Sequence, residues 1–165
     1  MNAWKTTISS KRNEDGSYSC IDALSIEADA SRIYGVLLDF NNRHRWWPNL
    51  KAWIEGPEPF AQVGSRITMR VGGLLPLARF TIRIVALEPL KRIAYEYIDG
   101  TIKGLAEWRI EPEGEGHVVK LAWQRIVPNS FPARLAFLLS GTRFHNRQTT
   151  AGLYGLKAWL EQPFP

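Results

Sequence analysis

Cysteine and long apolar runs are what this sequence has least of. Cys20 is the one cysteine in 165 residues, so the chain can form neither an intramolecular disulfide nor a cysteine zinc site. No apolar run approaches the ~20 residues that a membrane-spanning helix needs. The first residues show no secretion signal. We therefore expect a soluble protein in the cytoplasm, with Cys20 half-buried on a strand.

Catalytic signature motifs are also missing. The chain has no GxSxG elbow, no GxxxxGK(S/T) phosphate loop, no HExxH and no GxGxxG after a strand. Its histidines, His44, His117 and His145, do not have the spacing of metal ligands. The sequence thus supports no enzyme class by motif, and it predicts neither a metal ion nor a cofactor.

The basic charge of the chain raises the question of a nucleic-acid partner. The formal net charge is +5 and the pI is about 9.6. The arginines, Arg43 among them, are nevertheless spread over every segment without a basic run or stripe. Many alternate with apolar residues, which is typical of solvent-facing strand positions. We predict no nucleic-acid partner and leave weak attraction to an acidic surface open.

The length fits one domain with a single core. No internal repeat, low-complexity tract or Pro/Ser-rich linker divides the chain. Residues 1–16 are predicted to form a polar N-terminal arm. Residues 17–165 are predicted to form one domain.

The first part of that domain alternates a strand with short helices. The pattern over 18–27 predicts a strand, and apolar residues at helical spacing predict a helix over 30–40 behind Asp29 as its cap. A second short helix is expected over 41–47, because Pro48 disfavours helical geometry in the residue before it.

The middle of the chain has a period of two. Strong turn chemistry separates the segments, and such short connections make neighbouring strands antiparallel. The predicted strands cover residues 50–55, 65–71, 79–87, 92–98, 103–110 and 118–127.

The end of the chain is predicted to be one long helix over 132–161. Its leucines fall on one stripe, which we expect to face the sheet. They are Leu135, Leu138, Leu139, Leu153, Leu156 and Leu160.

This order of elements resembles the START and Bet v 1-like (SRPBCC) superfamily, over about 18–162. Its opening motifs are matched by the stretch 25–39 and by Trp46-Trp47-Pro48. Val63-Gly64-Ser65 fits the segment before the third strand, and Leu156-Lys157 fits the closing helix. Most similar are bacterial polyketide cyclase/dehydrase and lipid-transport-like proteins. The resemblance implies an α+β helix-grip fold, in which a curved antiparallel seven-stranded sheet wraps around a long C-terminal helix, with two short helices after the first strand.

The resemblance also implies a cavity for a small hydrophobic ligand between sheet and helix. The residues that strand alternation turns inward can equally fill a solid core, which periodicity alone does not exclude. They are Ile67, Met69, Val71, Phe80, Ile82, Ile84, Ile93, Tyr95, Tyr97, Ala106, Trp108, Ile110, Val119, Leu121 and Trp123.

The long helix carries a polar interruption on its inward side. Thr142, His145 and Thr149 lie between the two groups of leucines, and buried polar groups need partners. We expect them to meet water, the sheet or a ligand. The predicted ligand-binding residues are Trp46, Met69, Phe80, Tyr95, Tyr97, Trp108, Trp123, Arg125, Thr142, His145 and Thr149.

A second polar intrusion lies in the sheet. Arg125 continues the inward register of Trp123, and Asp22 shares a face with Leu24 and Ile26. The first and last strands are neighbours in the fold that the resemblance implies. We therefore hypothesise that Asp22 and Arg125 form an ion pair, since either charge buried alone would be destabilising.

Three functional hypotheses follow. The leading one is binding or transport of a lipid, an isoprenoid or a polyketide-like molecule. The second is a cyclase, aromatase or dehydratase, in which Tyr95, Tyr97, His145 or Arg125 transfers a proton or orients an enolate. The third is an interaction module that contacts a protein or, transiently, a membrane through an apolar hairpin tip at 72–76. Either a monomer or a homodimer fits the sequence.

Overall fold

The computed structural model of the protein describes residues 6–72 and 78–162, so most of the hairpin tip expected to reach a partner lies outside the described residues. The strands are β1 Thr7–Arg12, β2 Tyr18–Ile26, β3 Leu50–Ile54, β4 Arg66–Val71, β5 Ala78–Glu88, β6 Arg92–Gly100, β7 Ile102–Glu113 and β8 Gly116–Pro128. The helices are α1 Ala30–Leu38, a 3₁₀ helix Arg43–Arg45, α2 Phe131–Ser140 and α3 Arg143–Glu161.

All the strands pair antiparallel in one sheet, in the order β1-β2-β8-β7-β6-β5-β4-β3. The consecutive strands from β3 to β8 form a meander, because short turns connect them. The second strand, β2, closes against β8, and α3 packs against β2. This arrangement confirms the predicted α+β helix-grip fold. No helix in the described part of the chain is long and apolar enough to span a bilayer.

In the described residues the sheet has eight strands rather than the predicted seven, because β1 lies within the stretch expected to be a polar arm. Backbone pairing with β2 holds it in place. Hydroxyl hydrogen bonds also link this segment to the C-terminal region. Ser10 of β1 contacts Thr142, which precedes α3, and Thr6, just before β1, contacts Thr150 in α3. Its side chains are mostly exposed, so the segment lacks the apolar alternation by which a strand is recognised in sequence.

The predicted inward register of the sheet is buried throughout. On the opposite face most charged residues are exposed or half-buried, as expected. An exception is Glu107, which is 2% exposed. Its carboxylate pairs with the guanidinium groups of Arg92 and Arg109, and the amide of Gln124 donates to it. These partners compensate the cost of burying the charge.

The long C-terminal helix is interrupted, which corrects the prediction of one continuous helix over 132–161. Gly141 adopts a positive φ of 57°, a conformation that glycine takes readily, and it separates α2 from α3. The break also separates the two groups of leucines. Leu153, Leu156 and Leu160 are buried in α3.

The leucines of α2 face outward instead. Leu135, Leu138 and Leu139 are 46%, 71% and 76% exposed. The predicted inward stripe is therefore wrong for α2, because the turn at Gly141 changes the direction of the helix.

The tryptophan segment, Trp46 and Trp47, follows the 3₁₀ helix and packs on α3 at two glycines. A Cβ atom at Gly155 would lie 1.7 Å from the carbonyl oxygen of Trp46, and one at Gly152 would lie 2.5 Å from the ring of Trp47. The absence of side chains at these positions lets the tryptophan segment approach α3 closely. This contact sets the position of the preceding Arg43.

Candidate functional site: a cavity between the sheet and the helices

A cavity of about 350 Å³ lies between the inner face of the sheet, the 3₁₀ helix and the two C-terminal helices. Its volume is within the range of small-molecule sites. The sheet contributes mainly aromatic and aliphatic side chains, and α2 contributes one side of the wall through Ala133, Ala136 and Phe137. Because the helix is broken at Gly141, α2 forms a separate helix that lines one side of the cavity.

Seven of the eleven predicted ligand-binding residues line this cavity. They share the inward face of the sheet or the inner side of α3. They are Met69, Phe80, Tyr95, Tyr97, Trp123, His145 and Thr149.

Three other predicted residues lie beside the cavity rather than on its wall. Trp46 is buried against α3 at Gly155. Trp108 is fully buried behind Trp47, which itself lines the cavity, with their ring centroids 5.9 Å apart. Thr142 precedes α3, where its hydroxyl bonds β1 and the side chain of Asn146. Each of the three thus contacts other parts of the fold rather than the cavity.

Arg125 is exposed, which corrects the prediction that it faces inward. The register between β2 and β8 shifts so that Tyr18 pairs with Ile126 while Cys20 pairs with Trp123. This bulge gives Arg125 a positive φ of 52° and turns its side chain to solvent.

The hypothesised pair of Asp22 and Arg125 does not form. Asp22 is fully buried, and its partners are Thr7 and His145. The alternation of a regular strand predicts an inward Arg125, because it does not allow for the bulge that turns this side chain outward.

The aromatic wall is held by ring contacts and one hydrogen bond. The indole Nε1 of Trp123 donates to the hydroxyl oxygen of Tyr97 at 2.9 Å, and Phe80 and Tyr95 contact Tyr97 edge to face. Burial raises the pKa of Tyr95 and raises that of Tyr97 well above its ordinary value. Both phenols therefore stay protonated at neutral pH and serve as hydrogen-bond donors rather than bases.

A carboxylate and an imidazole meet at the wall near Trp123. Nε2 of His145 lies 3.6 Å from Oδ2 of Asp22 and 3.2 Å from the hydroxyl of Thr149. Thr7 donates a hydrogen bond to the other carboxylate oxygen at 2.6 Å. The imidazole stacks on Trp123, with centroids 3.3 Å apart.

Burial lowers the pKa of His145, while the carboxylate of Asp22 opposes that shift. The imidazole is therefore neutral at pH 7, and it lines the cavity. In this state it can accept or donate a proton.

The fold also brings Cys20 to this pair. Its sulfur and the ligand atoms of Asp22 and His145 lie within 4.8 Å of one another, which is the one group of potential metal ligands in the described part of the chain. Zinc binds thiolate, carboxylate and imidazole. Burial, with a contribution from Asp22, raises the pKa of the Cys20 thiol to about 12, which disfavours the thiolate that such a site requires.

Arg43 is a site residue that the sequence did not reveal. It is 1% exposed, lines the cavity, and donates a hydrogen bond to the carbonyl oxygen of Leu37 at 2.5 Å. Its guanidinium carbon lies 3.9 Å from the ring centroid of Phe40. Burial lowers the pKa of Arg43 to about 10, so it remains a cation at neutral pH. Among scattered arginines nothing in the sequence marks this one as buried.

Solved structures share this fold at low sequence identity. TTHA0849 from Thermus thermophilus is 18% identical, with 86% of this chain and 96% of that one covered and a TM-score of 0.68. Ms6760 from Mycobacterium smegmatis is 13% identical, with 96% and 99% covered and a TM-score of 0.67. Major latex-like protein 151 from Panax ginseng is 14% identical, with 87% and 97% covered and a TM-score of 0.60. At these identities the likeness shows the fold alone.

The sequence itself identifies the family. No curated protein matches the chain. A family model described as "Polyketide cyclase / dehydrase and lipid transport" matches residues 23–161, which include all of the meander, the cavity wall and both C-terminal helices. The chain therefore belongs to the polyketide cyclase/dehydrase and lipid transport family, within the SRPBCC-type superfamily that its opening motifs resemble.

Proposed function

We propose that the protein binds and carries a small hydrophobic molecule, such as a lipid, an isoprenoid or a polyketide-like compound. The observation that carries this proposal is the cavity of about 350 Å³ with its aromatic wall. Close packing leaves few voids of this size in a protein interior. A ligand that removed about 200 Å² of apolar surface from water would gain about 5 kcal/mol before the costs of association.

Native mass spectrometry of the purified protein, followed by denaturing extraction, tests this proposal. We expect a bound small molecule, or uptake of the neutral probe Nile red with enhanced fluorescence. Ala136→Trp places an indole on the cavity side of α2 and should abolish uptake. Leu135→Trp adds an indole on the outer face of the same helix and should not. Equal uptake by both variants would contradict binding in the cavity.

A second candidate function is proton-transfer catalysis on a bound ligand, as in a cyclase or dehydratase. The observation that favours it is the imidazole of His145 on the cavity wall with the carboxylate of Asp22 behind it. A carboxylate in this position orients a histidine and stabilises its protonated form. Tyr95 and Tyr97 would act as donors to a developing enolate.

Incubation of the extracted ligand with the protein distinguishes the two functions. Turnover that is lost in His145→Gln, while ligand binding is retained, would establish catalysis. Release of the unchanged molecule in every incubation would leave the carrier function.

A further inference from the structure

Within the residues that the structure describes, Arg43 is a buried cation without an anionic partner. No carboxylate in 6–72 or 78–162 lies within ion-pair distance of its guanidinium group. Asp39, which raises the pKa of Arg43 from a distance, directs its carboxylate to the backbone and side-chain amides of Asn42. The Nε atom of Arg43 is buried, and no described residue forms a hydrogen bond with it.

Aromatic rings compensate this charge only in part. The guanidinium carbon lies 3.9 Å from the ring centroid of Phe40, 5.4 Å from that of Trp46 and 5.9 Å from that of Trp108. Cation–π contacts stabilise a desolvated cation but leave its N–H donors unused. A buried charge without an ionic partner is costly, so a group that supplies negative charge would bind favourably here.

We infer that the ligand of the cavity carries an acidic group, a carboxylate or an enolate-type oxyanion, which binds Arg43. This inference rests on the proposed function and specifies its ligand. Arg43 lines the same cavity as Tyr95 and Tyr97, and the phenols of both tyrosines stay protonated. The guanidinium group and a phenol can thus donate to one anion, while the apolar body of the ligand contacts the aromatic wall.

Isothermal titration with two ligands of similar shape tests the inference. 2-Naphthoate carries a carboxylate, and 2-naphthylmethanol carries a neutral hydroxyl on the same ring system. We expect the wild-type protein to bind the naphthoate about tenfold to a hundredfold more tightly, as charged hydrogen bonds in a buried site imply.

Two variants locate the source of this preference. Arg43→Met should remove this preference, so that the variant binds the two ligands with similar affinity. Arg45→Met serves as the matched control, because Arg45 lies on the same 3₁₀ helix but is exposed. It should keep the wild-type preference. Circular dichroism would establish that both variants fold.

The outcomes separate the inference from the proposed function. Equal binding of both ligands by the wild-type protein, or an unchanged preference in Arg43→Met, would overturn the role of Arg43 while the cavity still binds ligands. If Arg43→Met does not fold, equal binding of both ligands by the wild-type protein would still overturn the inference. Binding of neither ligand would count against the proposed function itself.

The outer face of α2 is apolar and exposed to solvent, which leads to a second inference. Large apolar side chains there are exposed at helical spacing: Phe131 is 79% exposed, and Leu138 and Leu139 are 71% and 76% exposed. Phe144, at the start of α3, is 40% exposed and also lines the cavity. The face is thus apolar on both sides of the helix break, next to the proposed ligand.

The charge around this face is of one sign. Between Glu115 and Glu161 the chain has no acidic residue. Three exposed arginines, Arg134, Arg143 and Arg147, lie on α2 and the first turns of α3. An apolar helix face with a basic border is the pattern of segments that lie in the interface of an anionic membrane.

We propose that α2 docks on an anionic lipid bilayer. Its leucines would enter the interface, and the bordering arginines would contact lipid phosphates. Because α2 also forms part of the cavity wall, docking would bring the cavity to the membrane surface. The net charge of +5 adds to the attraction.

Vesicle co-sedimentation tests this docking. We expect binding to vesicles of an equimolar mixture of phosphatidylcholine and phosphatidylglycerol, weaker binding to phosphatidylcholine alone, and release at high salt. The double variant Leu138→Glu/Leu139→Glu should lose binding. Phe60→Glu/Val63→Glu is the matched control, because these residues are exposed apolar groups elsewhere, and it should bind like the wild type.

Equal binding by the two double variants would overturn docking through α2. So would a wild-type protein that ignores anionic vesicles. A concentration-dependent dimer that dissociates in Leu138→Glu/Leu139→Glu, together with absent vesicle binding, would assign the face to a second copy of the chain instead.

Discussion

The buried pair of His145 and Asp22 links the site to pH. Desolvation lowers the pKa of His145 below its value in the unfolded chain, so the unfolded state binds more protons as pH falls. Four groups face the imidazole. The carboxylate of Asp22 and the hydroxyl of Thr149 contact Nε2, the sulfur of Cys20 lies nearby, and the ring of Trp123 stacks on it. Of these, Asp22 favours the protonated imidazole, and desolvation outweighs it.

We therefore predict that the free energy of unfolding falls as pH drops below about 6.5, the ordinary pKa of histidine, and that His145 contributes to this fall. Urea unfolding at pH 7.5 and pH 5 measures it. His145→Gln should lose less stability than the wild type over this interval, since glutamine does not titrate. A wild-type protein that gains stability relative to this variant on acidification would reverse the assigned sign.

Cys20 is a free, buried cysteine, and we predict that its thiol reacts slowly in the native protein. Burial raises the pKa of its thiol from 9.0 to about 12, which lowers the thiolate fraction at pH 8 about a thousandfold. Ellman's reagent should therefore react with the native protein only through unfolding, and rapidly in guanidinium chloride. Fast reaction in native buffer would mean that the Cys20 side of the Asp22 and His145 cluster is open to solvent.

The packing of α3 against Trp46 and Trp47 positions the 3₁₀ helix that carries Arg43. A Cβ at position 155 would meet backbone, the carbonyl oxygen of Trp46, which does not move as a flexible side chain would. Gly155→Ala should destabilise the protein by about 3 kcal/mol, in the range of overpacked cores. Thermal unfolding followed by circular dichroism measures the change.

Gly35→Ala is the matched control for that prediction. Gly35 lies within α1, and no other group lies within 4 Å of a Cβ built there. Alanine at this helix position should stabilise the protein by up to about 1 kcal/mol. If Gly155→Ala were as harmless as Gly35→Ala, the close approach of α3 to Trp46 would be wrong.

Element boundaries show what a sequence pattern can and cannot reveal. Strand periodicity predicted the inward face of the meander, because each of these strands buries one side. The break between α2 and α3 was missed, although Ser130 before Pro132 and the later Gly141 are typical start and stop signals of a helix. The leucine stripe continued through the break and masked those signals.

Whether the interior of the molecule is a filled core or a cavity does not follow from the periodicity of apolar residues in the strands. A filled core and a cavity have the same alternating pattern, so the sequence alone left both open, and the resemblance favoured the cavity. The buried position of Arg43 follows from how the 3₁₀ helix packs on α3, and the exposure of Arg125 follows from a bulge. Neither depends on local hydrophobicity, so the sequence pattern placed Arg125 in the wrong environment and did not mark Arg43 as buried.

Between the sheet and the helices, we propose, a small apolar molecule binds. To test this proposal, the neutral ligand 2-naphthylmethanol is titrated into protein labelled with ¹⁵N at its tryptophans, and the indole signals are followed by NMR. Trp47 and Trp123 line the cavity, whereas Trp53 and Trp159 are 36% and 38% exposed elsewhere. We predict saturable shifts of the indole signals of Trp47 and Trp123, with those of Trp53 and Trp159 unchanged. Shifts confined to Trp53 and Trp159, or none at all, would contradict a ligand-binding cavity.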